Sequence, residues 1–450
     1  MRIVFFTHPG TNSRDIFLDM ARGFERGGHD VLRLEIEPIA NVYKAAGASR
    51  VPVIQQMTGM IAKFMDVNRV DFSVGMWANA LGVLSQGVRN GQPRSFFDVI
   101  ERPHLMFWLD APHWASGGSL AELCRSPLLS GRYVRHYVNN PGISREMTEV
   151  LGFGPTIGRG YGIDEDVFRP HRDEEERFDI VFGTGPGDAK PSALMLRELE
   201  SDEPDVQAMR EERAVGSLSK LRELAQTLDA ADAMMELFEG LVRLRLARPG
   251  TPMLEDLERL EREGMGEAGR KLRELPSVFV RAFSLVRGIE SWRRAFTITY
   301  LSKRLKCAVF GQAEFGEWPC EARLLGNLAY GDMARAYSSG RIGLNAMRWQ
   351  DDVGLNLKPY EITASGAALL CDRREGLDEA FEDGVEVESF AGPAEALAKA
   401  RGLLGDTARR RAMAEAGRER TLREHTWAQV SRELVAWTMR DVSEQALCAA

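Results

Sequence analysis

The chain has 450 residues, a length that fits two ordinary domains with something added, and its 44% hydrophobic and 28% charged content excludes both a disordered polymer and a membrane bundle. A net charge of -8 excludes a general nucleic-acid binder, which needs clustered Lys and Arg, without bearing on the binding of a single nucleotide. No window of about 18 apolar residues occurs and the opening apolar run is too short for a signal peptide, so neither a bilayer span nor a secretory leader is expected. The five cysteines (Cys124, Cys307, Cys320, Cys371, Cys448) are scattered and form no C-x-x-C pair, which predicts reduced thiols in a cytoplasmic protein rather than a disulfide or zinc framework.

Ile3 to Thr7 reads as a buried first strand, followed by an amphipathic helix over Arg14 to Arg26 with Ile16, Phe17, Met20 and Phe24 on one side. Gly27-Gly28 ends the helix and Val31 to Leu34 begins the next strand, so the segment is a βαβ unit with its strands in a parallel sheet. The alternation continues with strands at Asp71 to Met76, His104 to Leu109 and Tyr133 to Asn139. Helices are expected at about Ala78 to Val88 and at Ile143 to Leu151, and a last short strand near Thr156. Residues 1–168 therefore form one Rossmann-like doubly wound domain.

Gly160 to Pro170 and the charged run Arg172 to Arg177 read as a linker. Phe178 to Gly183 is again a strand, running into the glycine-rich turn Gly183-Thr184-Gly185-Pro186-Gly187, which suits a phosphate loop or a tight turn equally well. Residues 191–300 interrupt the alternation with helical patterns such as Leu218, Leu221, Leu224, Ala225 and Leu228, and Leu237, Leu241 and Leu244. The Glu and Arg between them read as a solvated face, with a protein-partner surface as the alternative. The sheet resumes at Cys307 to Gly311, with further strands at Ile342 to Leu344 and Ala368 to Cys371. The expected architecture is α/β: two Rossmann-like doubly wound domains, the second built from 178–190 and 301–425, with a helical insertion at 191–300 and a C-terminal helix and tail at 426–450.

Such folds bind ligands at the carboxyl ends of their strands, and two joined domains leave a cleft there. In the second half, Gly354-Leu355-Asn356-Leu357-Lys358 is a polar loop, and Pro359 presets the first turn of a helix over Tyr360 to Ser365 that Gly366 ends. The start of that helix is a seat for a diphosphate, Lys358 adds a cation, and Glu361 is an acceptor suited to ribose hydroxyls. Asn345 and Arg348 follow a strand that points toward the same cleft.

Tyr360-Glu361, Ala364-Ser365-Gly366, Leu369-Leu370, Cys371-Asp372 and Gly376-Leu377 together resemble the donor-site stretch of GT-B glycosyltransferases, and more closely the spore-maturation-protein CgeB-like group. Trp292-Arg293-Arg294, Tyr300-Leu301 and Val309-Phe310-Gly311 are similar to that group's segment before the second sheet resumes, and His425-Thr426-Trp427 to its closing segment. The resemblance covers about 178–440 in detail and 1–170 in outline, where Asn139 to Pro170 looks like the end of an acceptor domain. It implies transfer of a sugar from a nucleotide-sugar donor to an acceptor, with no bound metal and no cofactor beyond that co-substrate, and the acceptor is expected to be a protein, a glycan or another surface polymer. It also implies donor contacts from Glu361, Gly366 and the pair Asn356 and Lys358, the last with Lys in place of the family's Arg, and Tyr360, Gly183 and Gly311 join them as donor-site candidates. That replacement keeps the charge but loses the bidentate fork. Val353 stands eight positions before Glu361, where many retaining enzymes carry a second glutamate, so retention is not implied.

An inverting transfer needs a base near the acceptor hydroxyl, and Asp110, His113 and His8 sit just beyond strand ends of the first domain. His104, His136 and His425 read as structural. Two other readings stand beside transfer: a sugar-nucleotide 2-epimerase, and a non-enzymatic coat or assembly protein with a worn transferase fold. No H-E-x-x-H, G-x-S-x-G or Walker A pattern is present.

Overall fold

The computed structural model describes residues 1–440 apart from 8–10, 46–49, 81–86, 90–91, 116–122, 184, 186, 188 and 312–313. It divides into two compact units: Met1–Asp164 together with the C-terminal segment from Thr426, and Glu165–His425. The chain thus passes from one unit to the other twice, after Asp164 and after His425.

In the first unit, strands β1 (Arg2–Thr7), β2 (Asp30–Glu35), β3 (Phe72–Met76), β6 (His104–Trp108), β7 (Val134–Val138) and β8 (Thr156–Gly158) form a parallel sheet in the order β2-β1-β3-β6-β7-β8. β3, β6 and β7 are buried along their whole length, the pattern of central parallel strands covered on both faces. The edge strand β2 is partly exposed. The helix Thr11–Arg26 sets Phe17 and Phe24 against Phe5, ring centroids 5.1 and 5.2 Å apart.

The segment after His425 returns to this unit as the helix Trp427–Thr438, opened by a capping box between Thr426 and Gln429. It lies so close to the first helix that a Cβ at Gly23 would fall 2.0 Å from Trp427 Cβ. Beside it, buried Asp164 accepts from both Arg22 and Arg26, at 2.7 and 2.8 Å. The tail is therefore an integral layer of the first unit, whose N-terminal segment runs to Asp164.

Local differences from expectation appear in this unit. The helix expected over Ala78 to Val88 is contradicted at its end, where β4 (Gly87–Arg89) and β5 (Gln92–Arg94) form an antiparallel hairpin; residues 81–86 lie outside the described set. Two helices, Glu37–Ala45 and Arg50–Val67, fill a stretch where no element was expected.

The second unit carries the parallel sheet β11-β10-β9-β12-β13-β14, with β9 (Phe178–Gly183), β10 (Cys307–Phe310), β11 (Arg323–Gly326), β12 (Gly340–Asn345), β13 (Ala368–Asp372) and β14 (Glu388–Phe390). The fold is thus α/β with two Rossmann-like doubly wound sheets, and a helical insertion separates β9 from β10. The insertion helices Val206–Gln226 and Ala231–Ala247 bury Leu221 and Leu224, and Leu237 and Leu241, as their spacing requires, while Glu211, Glu212, Lys220 and Glu223 are exposed. The helix Arg293–Ser302 is buried at every residue and packs Phe296, Ile298 and Leu301 with Ile180, Val309 and Leu344 of the sheet. It belongs to the sheet layer, and the helices that stand apart from the sheet precede it, up to about residue 290.

Among the described residues no helix is long and apolar enough to cross a membrane. Cys124, Cys307, Cys320 and Cys371 are free thiols, and burial pushes that of Cys371 up to about 12.

Candidate donor site

In the second sheet the strand order reverses at β9: the chain adds β10 and β11 on one side, then returns to place β12, β13 and β14 on the other. The carboxyl ends of β9 and β12 are therefore the topological switch point, where a crevice opens in doubly wound folds.

At this point lies Arg294, in the first turn of the buried helix Arg293–Ser302. Its Nε donates to Ala346 O beyond β12 at 3.0 Å, and its Nη1 to Gly185 O beyond β9 at 3.3 Å. The residue is 8% exposed. Among the described residues Nη2 has no hydrogen-bond partner, and no carboxylate comes within ion-pair distance of the guanidinium. Burial first, and the charge of Arg348 second, push Arg294 down to about 9, although Asp351 and Asp372 pull the other way. A cation desolvated beside another cation is a strong potential anion seat.

The neighbouring arginines are compensated. Arg293 donates to Asp372 Oδ1 at 2.6 Å, and Arg374 approaches the other carboxylate oxygen at 3.1 Å. Arg348 Nε lies 3.4 Å from Asp351 Oδ2, with its side chain about one-third exposed.

Glu361 sits in the helix Lys358–Ala364 and is buried. Lys358 Nζ donates to its Oε2 at 2.7 Å, and Tyr337 Oη donates to the same oxygen at 3.4 Å. Burial, with the charge of Glu361 added, pushes the Tyr337 phenol well up. Asn356 Oδ1 accepts from Lys358 N at 3.0 Å and so holds the entry to the helix. Gly343 lets this helix lie directly on β12, since a Cβ there would fall 2.3 Å from Ile362 Cγ2.

Several other expected donor residues have structural partners. Tyr360 packs on His425 and Phe381, at 4.6 and 5.8 Å between centroids. Gly366 has φ +81°, and a Cβ there would meet Pro170 Cγ at 2.9 Å, which accounts for glycine at the helix end. A Cβ on Gly183 would lie 2.4 Å from Phe310 Cζ and 2.5 Å from Tyr337 Oη, so close packing alone demands glycine there. Gly311 turns with φ +102° and donates to Gly326 O at 2.9 Å. Asn345 Nδ2 donates to Met347 Sδ at 3.0 Å and Cys371 Sγ at 3.5 Å, inside the sheet end. Arg294 is a candidate donor contact beyond those expected from the sequence. The signal available was its place in Trp292-Arg293-Arg294, two cations at the head of a helix whose remaining residues, Ala295 to Ser302, carry no charge.

In the first unit, Asp110 follows β6 directly and is partly exposed, while Tyr161 Oη braces the preceding backbone by donating to Trp108 O and Leu109 O, both at 2.9 Å. His113 is buried with its Nε2 3.1 Å from Glu146 Oε2, itself buried. His8 lies outside the described residues. His136 accepts from Trp108 Nε1 at 3.1 Å on Nδ1 and donates from Nε2 to Leu129 O at 2.7 Å, and burial holds it down at about 4. His104 stacks on Phe97 at 3.8 Å and pairs with Ser73 Oγ at 2.9 Å.

Residues 292–436 match a family model described as glycosyl transferase-like. No curated protein matches the chain. Among solved structures, β-glucosyltransferase of phage T4 in complex with UDP and Mn2+ is similar at 10% identity and a TM-score of 0.49, over 98% of this chain and 100% of that one. Anabaena HepE in complex with UDP and glucose follows at 11% and 0.47, over 97% and 98%. Sucrose-phosphate synthase of Thermosynechococcus elongatus stands at 10% and 0.48, over the whole of both chains.

Proposed function

We propose that the chain is a nucleotide-sugar-dependent glycosyltransferase of the CgeB-like group, acting in the cytoplasm on a protein or glycan acceptor. The observation that carries the reading is Arg294: a buried guanidinium at the switch point of the second sheet, bonded only to backbone carbonyls and lacking a carboxylate partner among the described residues. A donor diphosphate supplies the missing negative charge, and the match of 292–436 to a transferase family model agrees with it. Glu361 contributes an acceptor for the donor's ribose.

In the proposed transfer the bond between the sugar's anomeric carbon and the diphosphate oxygen breaks, and the electron pair leaves on the diphosphate. The acceptor oxygen bonds to the anomeric carbon and its proton passes to a base. Asp110 suits that task better than His113, because it is partly exposed at a strand end whereas His113 is buried against Glu146. Arginine charge takes the part a metal would play at the leaving group, so the reading includes metal independence.

The test is calorimetric titration of the protein with UDP, GDP and dTDP, each alongside its nucleoside, followed by nucleotide release from the matching sugar donors with and without EDTA. Binding that depends on the diphosphate, and release that EDTA leaves unchanged, are expected. A protein indifferent to every nucleotide would falsify the reading and favour a coat or assembly role, and a donor isomerised without acceptor would favour a 2-epimerase.

A further inference from the structure

The helical insertion ends in the helix Pro276–Arg287, and its last residue does not face solvent. Arg287 is buried, its guanidinium lies 4.1 Å over the Phe283 ring, its Nη1 donates to Gln350 O at 3.0 Å, and its Nη2 pairs with Asp352. Asp352 in turn accepts from the backbone of Val353 through Oδ1 at 2.9 Å. The loop after β12 is thereby fastened at Gln350 and Asp352 to a residue of the insertion.

The same loop carries Arg348, which leans on the adjacent carboxylate Asp351. Arg294 is joined to this loop directly, its Nε donating at 3.0 Å to the carbonyl of Ala346, two residues before Arg348, and burial, then the charge of Arg348, push Arg294 down. Two guanidiniums on one side of a site repel, and Asp351 offsets that only in part, so ties that fix the loop from outside keep it in place. Asp351 and Asp352 are neighbours in sequence, and each takes a different arginine: one from the loop itself, one from the insertion. Arg287 is the tie that the insertion supplies, beside the bonds of Arg294 to Ala346 O and of Gly376 N to Val353 O.

We infer that Arg287 is a positioning residue of the donor site: through Asp352 and Gln350 it holds the loop after β12 so that Arg348 and Arg294 converge on one anion, the diphosphate of the donor. This rests on the donor-site reading above. It makes the insertion part of the site's scaffold rather than an appended surface.

A residue that merely stabilises the unit weakens all ligands alike, whereas one that sets the distance between two phosphate-binding cations weakens the diphosphate selectively. The measurement is the ratio of affinity for a nucleoside diphosphate to that for its nucleoside, taken with whichever base the protein prefers, in wild type, Arg287→Met, Arg287→Lys, Arg294→Met and the double Met variant. The ratio is expected to fall about tenfold in Arg287→Met, to recover in part in Arg287→Lys, and to fall in the double variant by less than the product of the single effects. A ratio unchanged in Arg287→Met while Arg294→Met loses it overturns the positioning role alone. Equal loss of diphosphate and nucleoside in Arg287→Met also overturns it. A wild type that ignores nucleoside diphosphates removes the donor-site reading itself. If Arg287→Met does not fold, Asp352→Asn, which weakens the tie from the other end, is read by the same ratio.

Discussion

Lys358 is expected to serve as the counter-ion of Glu361, and a double-mutant cycle measures that service. The two groups meet at 2.7 Å with Glu361 buried and Lys358 about one-fifth exposed. At that distance and an effective dielectric of about 20, the gross attraction is roughly 6 kcal/mol. Desolvation of the carboxylate offsets much of this, leaving a net coupling of about 1.5–3 kcal/mol, the usual size for a charge-assisted hydrogen bond. Lys358→Met strands the carboxylate and is expected to cost about 3 kcal/mol. For the unit Glu165–His425, which carries the pair, that lowers Tm by roughly 5 °C. In Glu361→Gln with Lys358→Met the stranded charge is gone, and about 1.5–3 kcal/mol of the summed single costs returns. Urea denaturation of the four proteins gives the coupling directly. Costs that add within about 0.5 kcal/mol refute the counter-ion role and leave Lys358 free to act on the ligand alone. Repeating the cycle with nucleoside diphosphate at saturation asks whether Lys358 changes partner: coupling that shrinks on binding places its ammonium on the phosphates.

Gly183→Ala is expected to cost about 1–3 kcal/mol of stability, because its Cβ would overlap Phe310 and Tyr337, with diphosphate affinity changing less than threefold. A stable variant that has lost diphosphate binding would instead make Gly183 a phosphate-loop glycine. His136 predicts an acid limit. Its folded value of about 4 lies below the ordinary 6.5, so between those pH values the unfolded chain takes up a proton that the folded one does not. Stability from this group is intact above pH 6.5 and falls by about 3 kcal/mol on acidification to pH 4, with His104 shifted in the same direction. NMR titration of the imidazole checks it: a His136 ring that protonates near pH 6.5 in the folded protein refutes the account.

Two parallel sheets were legible because β1, β9, β12 and β13 are short apolar runs closed by glycine or polar residues, a pattern that buried parallel strands can hardly avoid. β11 was not legible. It is an exposed edge strand of Arg323, Leu324, Leu325 and Gly326, and pairing with β10 rather than burial of its own side chains keeps it extended. The tail helix from Trp427 is legible in its amphipathic pattern, but its attachment to the first unit depends on the approach of Gly23 to Trp427, which local pattern does not carry. At the candidate site, the helix around Glu361 could be read because proline, glutamate and glycine mark its start and end in sequence. Asn356 could be singled out too, yet its tie to the backbone of Lys358 is a geometry that composition does not distinguish from a ligand contact.

The arginines of residues 287–294 show why the rest was hidden. Arg287, Arg293 and Arg294 lie within eight residues, and all three are buried. Each reaches a different part of the carboxyl edge: Arg287 the loop at Gln350 and Asp352, Arg293 the end of β13 at Asp372, Arg294 the ends of β9 and β12. In sequence they resemble the charged surface of any helical insertion, since no local period separates an arginine facing water from one facing a strand end. Position in the fold separates them, because this segment is the junction where the insertion re-enters the sheet layer. Lysine would not serve equally well there: a guanidinium can donate to two carbonyls from different strands and still present a further N–H, as Arg294 does, whereas an ammonium on a flexible stem fixes no such plane. The insertion and the strand-end crevice are therefore one piece of structure, and a shortened chain lacking residues 191–290 would lose Arg287 and, with it, the hold on the loop that carries Arg348.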